Sequence, residues 1–130
     1  MQVQKIVKKY RINRYKLVRY QILVEYVFVR ELDLIPTDID LLTLLGLQGE
    51  MELSKFCVMC VKRLHKDVAA EQFHIKSQNI RNRIEKLTKR ELIEKVDKKK
   101  RMIRLKGFDV LRTGDILLNY NFLSLESDKT

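Results

Sequence analysis

The chain has 130 residues, of which 45% are apolar, with four glycines and one proline. This describes one domain that can bury a core without disulfides or metals, and it excludes a linker-rich or disordered chain. Twenty-seven basic residues against seventeen acidic ones give a formal charge of +10, which favours an anionic partner, either nucleic acid or a membrane surface.

The charge is unevenly placed. Residues 1–35 carry +5, residues 36–60 carry −3, residues 61–112 carry +10 and the last eighteen carry −2. The opening MQVQKIVKKYRINRY lacks the apolar run of a signal peptide. The most apolar stretch, Ile22 to Val29, is broken by Glu25 and is too short to span a bilayer. A soluble, cytoplasmic protein is expected.

Residues 1–13 read as a basic arm, extended or poorly ordered, with Lys5, Lys8, Lys9 and Arg11. Residues 14–31 read as a helix with Leu17, Tyr20, Leu23, Val27 and Phe28 near one face, although the β-branched and aromatic run ILVEYVFV also suits a strand. In Pro36-Thr37-Asp38-Ile39-Asp40, Thr37 is a cap candidate with Asp40 three residues on. Leu41, Leu42, Leu44 and Leu45 then form a buried stripe, ended by Gly46 or Gly49.

Glu52 to Leu64 is a further helix. It contains Cys57 and Cys60, a C-x-x-C pair. A zinc site needs four ligands, and His65 and His74 lack the H-x₃₋₅-H spacing. Phe56, Cys57, Cys60, Val61 and Leu64 instead make one apolar helix face, with cysteine as a small hydrophobe. Residues 67–73 read as a short helix with Val68 and Ala69 turned inward. His74 to Ser77 read as a turn, and Ser77 as the N-cap of a helix over 78–90. That order is helix, tight turn, capped longer helix, a helix-turn-helix.

LIEKVDKKKRMIRL reads as a β-hairpin. Ile93 and Val96 lie in one arm, and Met102, Ile103 and Leu105 in the other. Lys98, Lys99, Lys100 and Arg101 form a cationic tip. Residues 108–130, with ILLNYNFLSL, read as a strand or extended arm and a polar end.

Ala69 to Leu105 resembles the core of a winged helix-turn-helix domain. In that family a short helix and a turn lead into a recognition helix, and a Leu-Ile ending (here Leu87, Leu92 and Ile93) feeds the hairpin called the wing. Glu91 stands where the family often has glycine. The resemblance implies a fold that is mainly α with a small β-hairpin, of the α+β class. It has a winged helix-turn-helix core with an N-terminal helix over 14–107 and a C-terminal extension over 108–130. A leucine-rich first helix over 38–47 fits, while helix 52–64 reads as an insertion. The order of an N-terminal helix, LIPTDIDLLTLL and this core also resembles small proteins of tailed bacteriophages.

On helix 78–90, Ile80, Ile84 and Leu87 cluster on one side. Gln78, Asn82 and Lys89 fall opposite, with Arg81 and Lys86 on the flanks. A recognition helix presents such amides and cations to base edges, amides to adenine and arginine to guanine. Lys76, Ser77 and the helix N-terminus are placed to hold a phosphate. The nucleic-acid-binding set expected is therefore Lys76, Ser77, Gln78, Asn79, Arg81, Asn82, Lys86 and Lys89, with Lys98, Lys99, Lys100 and Arg101 of the wing. Against it, any solvated helix needs polar residues, and Glu85 on the same side repels phosphate.

Double-stranded DNA is the expected partner, in transcriptional regulation or DNA architecture. No catalytic set, Gly-rich phosphate loop, metal site or cofactor is visible, and no enzyme activity or membrane partner is expected. The alternative is a non-enzymatic structural or protein-interaction module, a homodimer or larger assembly joined through residues 14–31 and 115–125, such as a component of a phage particle. That alternative rests on apolar and aromatic residues outside the core, among them Tyr15, Tyr20, Tyr26, Phe28, Tyr120 and Phe122.

Overall fold

Helix α1, Arg14–Ile22, opens where the Asn13 side chain accepts the amide of Lys16 at 2.9 Å. It runs without a break into a π-helical segment, Leu23–Val29. There the amide of Arg30 donates to the carbonyl of Glu25, five residues back, at 3.1 Å. The β-branched and aromatic side chains of this run crowd an α-turn. The expected helix over 14–31 is present, but its inward face differs. Leu17, Val18, Ile22 and Tyr26 are buried, whereas Tyr20 is 52% and Phe28 is 73% exposed. The four-residue steps from 18 to 22 to 26 set the face that packs on the next helix.

The computed structural model describes residues 4–5, 12–97, 101–111 and 119–120. Within them the chain is mainly helical, with a small three-stranded antiparallel sheet. Helix α2 spans Pro36–Gln48. Proline occupies its first turn, where a missing N–H costs nothing, so Thr37 lies inside the helix and is not its cap. The Asp38 carboxylate instead accepts the Ile35 amide at 3.4 Å. Leu41, Leu42, Leu44 and Leu45 are buried as expected. Gly46 does not end the helix. A Cβ there would meet Val18 Cγ1 at 3.0 Å and Leu105 Cδ1 and Val110 Cγ1 at 3.3 Å, so glycine lets three elements close on α2. The helix stops at Gly49, whose φ of 80° suits glycine.

A short strand, β2 (Glu50–Glu52), follows where the sequence suggests the start of a helix. Helix α3, Leu53–Leu64, buries Phe56, Cys57, Cys60 and Val61 completely, the face expected for the two cysteines. Residues 65–69 form a turn, with the Val68 amide donating to the His65 carbonyl at 3.1 Å. Helix α4 then runs unbroken over Ala70–Lys89. The expected short helix over 67–73, turn over 74–77 and Ser77 cap are all corrected by this. No glycine or proline interrupts the stretch, so the helical ladder continues through it. Ser77 is half-buried in mid-helix, Val68 packs on the core from the turn, and Ala69 is exposed.

The hairpin is present as β3 (Ile93–Asp97) and β4 (Met102–Leu105). The sheet order is β2-β4-β3, all antiparallel, with Met51 opposite Ile103 and Ile93 opposite Leu105. The register shifts between Lys95 and Asp97, which leaves Val96 exposed and not in the apolar arm. Glu91 makes the turn out of α4 with φ 63°, a glycine-like conformation held by a side chain.

The core joins α1, α2, α3, the C-terminal half of α4 and the sheet. Residues after β4 return to α1. The Phe108 ring meets Tyr26 edge-on at 5.7 Å, and the Gln21 amide donates to and accepts from the Leu111 backbone at 2.5 and 2.7 Å. Further out, β1 (Gln4–Lys5) pairs antiparallel with β5 (Asn119–Tyr120). The rest of the expected basic arm up to residue 11, and the rest of the segment from residue 112, lie outside the described residues. No helix among the described residues is long and apolar enough to cross a membrane.

Candidate nucleic-acid interface

Helix α4 owes its position to three contacts. Ile80, Ile84 and Leu87 enter the core. Arg83 grips Asp38 of α2 with Nη2 at 2.7 and 2.6 Å from the two carboxylate oxygens and Nε at 2.9 Å from Oδ1. Arg81 donates to the Ser54 hydroxyl at the start of α3, at 3.1 Å. Arg83 is therefore a structural residue, and Arg81 is turned toward α3 instead of standing among the outward amides.

The outward side of α4 holds Gln78, Asn79, Asn82, Lys86 and Lys89, all exposed. The Gln78 amide donates to Asn82 Oδ1 at 3.0 Å. That bond leaves the Gln78 carbonyl oxygen and the Asn82 amino group turned outward as an acceptor and a donor. Lys76 and Ser77 are half-buried, and with no helix start at Ser77 the phosphate-holding N-terminus expected there does not exist. The helix instead begins seven residues earlier, at Ala70, with no side-chain cap and with Glu71 in its first turn.

Arg101 is exposed at the root of the hairpin loop with φ 51°, and its carbonyl accepts the Leu53 amide at 2.9 Å. This ties the hairpin to the first turn of α3. Ser54, Lys55 and Arg101 line one hollow beside Glu50 and Glu52. Lys98, Lys99 and Lys100 lie outside the described residues.

Ion pairing divides the cations. Lys95 pairs with Glu85 at 3.3 Å, Arg104 with Glu94 at 2.6 Å and Lys106 with Glu91 at 3.4 Å. The sheet's cations are thus offset within the domain, and Glu85 faces Lys95. Among the described residues no ion pair is formed by Lys86, Lys89 or Arg101, nor by Lys55, Lys62, Arg63 or Lys66 of α3 and the turn. The α3 cations are not among the residues singled out from the sequence, although the seven-residue spacing of Lys55 and Lys62 places them along one helix side.

Burial pushes the Cys57 and Cys60 thiols up, the second further still beside the first, away from the thiolate that attacks or binds metal. His74 is exposed on α4 and His65 half-buried after α3. Among the described residues no group of three or more His, Cys, Asp and Glu is placed to hold a metal ion. Comparison with known proteins finds no matching family model, no matching curated protein and no matching solved structure, so the reading rests on these side chains and their positions.

Proposed function

We propose that the chain is a winged helix-turn-helix protein that binds double-stranded DNA, as a transcriptional regulator or DNA-architectural factor. In this reading α3, the turn over 65–69 and α4 are the helix-turn-helix, and β3-β4 is the wing. Helix α3 then takes the place of the first of the two helices and is no insertion. The observation that carries the reading is the outward face of α4. It displays three amides and two cations without an ion pair among the described residues, beside strand β3, after which the sequence continues as Lys98-Lys99-Lys100-Arg101. Such a face offers hydrogen bonds to base edges in the major groove, and the cations contact phosphates.

The test is fluorescence anisotropy with a random 20-base-pair duplex at several salt concentrations. Micromolar binding is expected, with log K falling against log salt at a slope of about −5 for roughly six phosphate contacts. Absence of binding at low salt would refute the reading.

A second reading is a structural or protein-interaction module on the same scaffold, part of a homodimer or a larger particle. Tyr20 and Phe28, with Val29 at 66% exposure, support it as an apolar stretch on the first helix. Mass in solution separates the two, since this reading requires self-association without DNA.

A further inference from the structure

Helix α3 has two different sides. One is wholly core, with Phe56, Cys57, Cys60 and Val61. The other forms a shallow groove lined by Lys55, Val58, Met59, Lys62, Arg63 and Lys66. We propose that this groove docks an acidic amphipathic helix of a partner protein. The proposal does not depend on DNA binding by α4.

Three observations carry it. The first is layout. Lys55, Met59 and Lys62 follow steps of four and three residues, so they form one stripe about 10 Å long on α3, and Lys66 lies in the turn just past its end. Val58, 38% exposed, and half-buried Met59 lie in its middle. An apolar centre within a charged rim is the anatomy of a protein interface, and methionine adapts to the shape it meets.

The second is positive charge. All four cations lack an ion pair among the described residues, as most of the domain's cations do, and only Lys55 has carboxylates beside it, Glu50 and Glu52. The helix dipole accounts for Lys62 and Arg63 in the last turn, but it opposes Lys55 in a first turn that holds no acidic residue. Arg63 is also held in place, its guanidinium 5.6 Å from the centre of the Tyr15 ring.

The third is separation. No residue of α4 or of the hairpin lines the groove, and only Lys55 at its end also borders the hollow beside Arg101. A phosphate backbone calls for cations alone and leaves Val58 and Met59 unexplained. An acidic helix fits both, its carboxylates reaching Lys55, Lys62 and Lys66 and its bulky apolar side chains covering Val58 and Met59.

The experiment uses the full chain and a fluorescein-labelled synthetic 16-residue helix with leucines at i, i+3, i+4 and i+7 and glutamates elsewhere. A second peptide replaces the leucines with serine, and a random 20-base-pair duplex is the third probe. The variants are V58S/M59S and K62E/K66E, at exposed or half-buried positions, each checked for unchanged helicity by circular dichroism. The expected result is micromolar binding of the amphipathic peptide to the wild-type chain. Each double variant and the serine peptide should bind at least about tenfold more weakly. Three results would overturn the proposal: no saturable peptide binding, equal binding of the two peptides, or a loss in K62E/K66E confined to the duplex. The last would make the groove a track for nucleic-acid phosphates. Duplex binding by wild type is read separately, so failure of the groove and failure of the DNA reading remain distinct.

Discussion

Replacing Arg83 with methionine should be among the most damaging single changes outside the apolar core. Asp38 is 1% exposed, and both its carboxylate oxygens are held by the guanidinium of Arg83, whose side chain is 27% exposed. Methionine conserves the apolar stem and deletes three hydrogen bonds, leaving Asp38 with the Ile35 amide at 3.4 Å. Stranding a buried charge in this way costs about 3–5 kcal/mol, and the partial exposure of Arg83 places the loss near the lower end, about 3 kcal/mol. Against a total stability of about 5–15 kcal/mol that is a large fraction. With a urea dependence of about 1.5 kcal/mol/M the midpoint should fall by roughly 2 M. The double variant D38N/R83M removes the stranded charge and should recover more than half of the loss. Urea titrations followed by circular dichroism measure both. A midpoint for R83M within about 0.5 M of wild type, or a double variant worse than R83M, would show that Asp38 gains no protection from the pair.

Tyr26→Phe should raise stability by about 1 kcal/mol, since the hydroxyl is buried without a hydrogen-bond partner; urea unfolding at neutral pH checks this. Burial pushes the Tyr26 hydroxyl from 10.0 up to about 12, so its neutral form is favoured in the fold; the contribution is complete below pH 10 and is lost as pH rises through 12, a loss of roughly 2–3 kcal/mol that Tyr26→Phe should remove from the alkaline limb. Cys57 and Cys60 should stay unreactive toward a thiol reagent in the folded protein at pH 8 and react fully in urea, because burial raises both thiols. Glu91→Gly should stabilise by up to about 0.5 kcal/mol by relieving the φ of 63°, net of the greater freedom glycine gives the unfolded chain and of the lost exposed pair with Lys106, and a lowered melting temperature would count against that strain. K86A/K89A should reduce the salt slope of DNA binding by about 1.8, whereas K95A/R104A, whose cations already face Glu85 and Glu94, should change it little; equal effects would remove α4 from the interface.

Much of the fold was legible because its signals are local. The leucine stripe of α2, the apolar face of α3 with its two cysteines, the Ile80, Ile84 and Leu87 edge and the hairpin arms are periodicities that burial enforces. The misreadings have a common cause, which is competition between local and non-local preference. Ser77 and His74 look like a cap and a turn, but nothing at 74–77 breaks a helix, and the ladder runs on into the half anchored by Ile80, Ile84 and Leu87. Strand β2 is only three residues, defined by its partner β4 and not by its own pattern. On α1 the steps from 18 to 22 to 26 won over Tyr20 and Phe28 because of what α2 offers them. Of the candidate site, Gln78, Asn82 and Lys89 could be placed outward from spacing alone, while Lys86 read as a flank residue. The turning of Arg81 to Ser54, and of Arg83 to Asp38, depends on partners 27 and 45 positions away.

The paired hydrogen bonds between Gln21 and Leu111 join residues 90 positions apart. The hairpin, the α3-α4 pair and the packing of α1 on α2 involve much shorter separations and close sooner as the chain collapses. The Gln21 clasp, with the Phe108 ring that covers Tyr26, is thus a late event in folding. On the ribosome it is forbidden until nearly all of the domain has emerged. Until then one side of Tyr26 stays uncovered, and the partly made domain exposes apolar surface that favours aggregation.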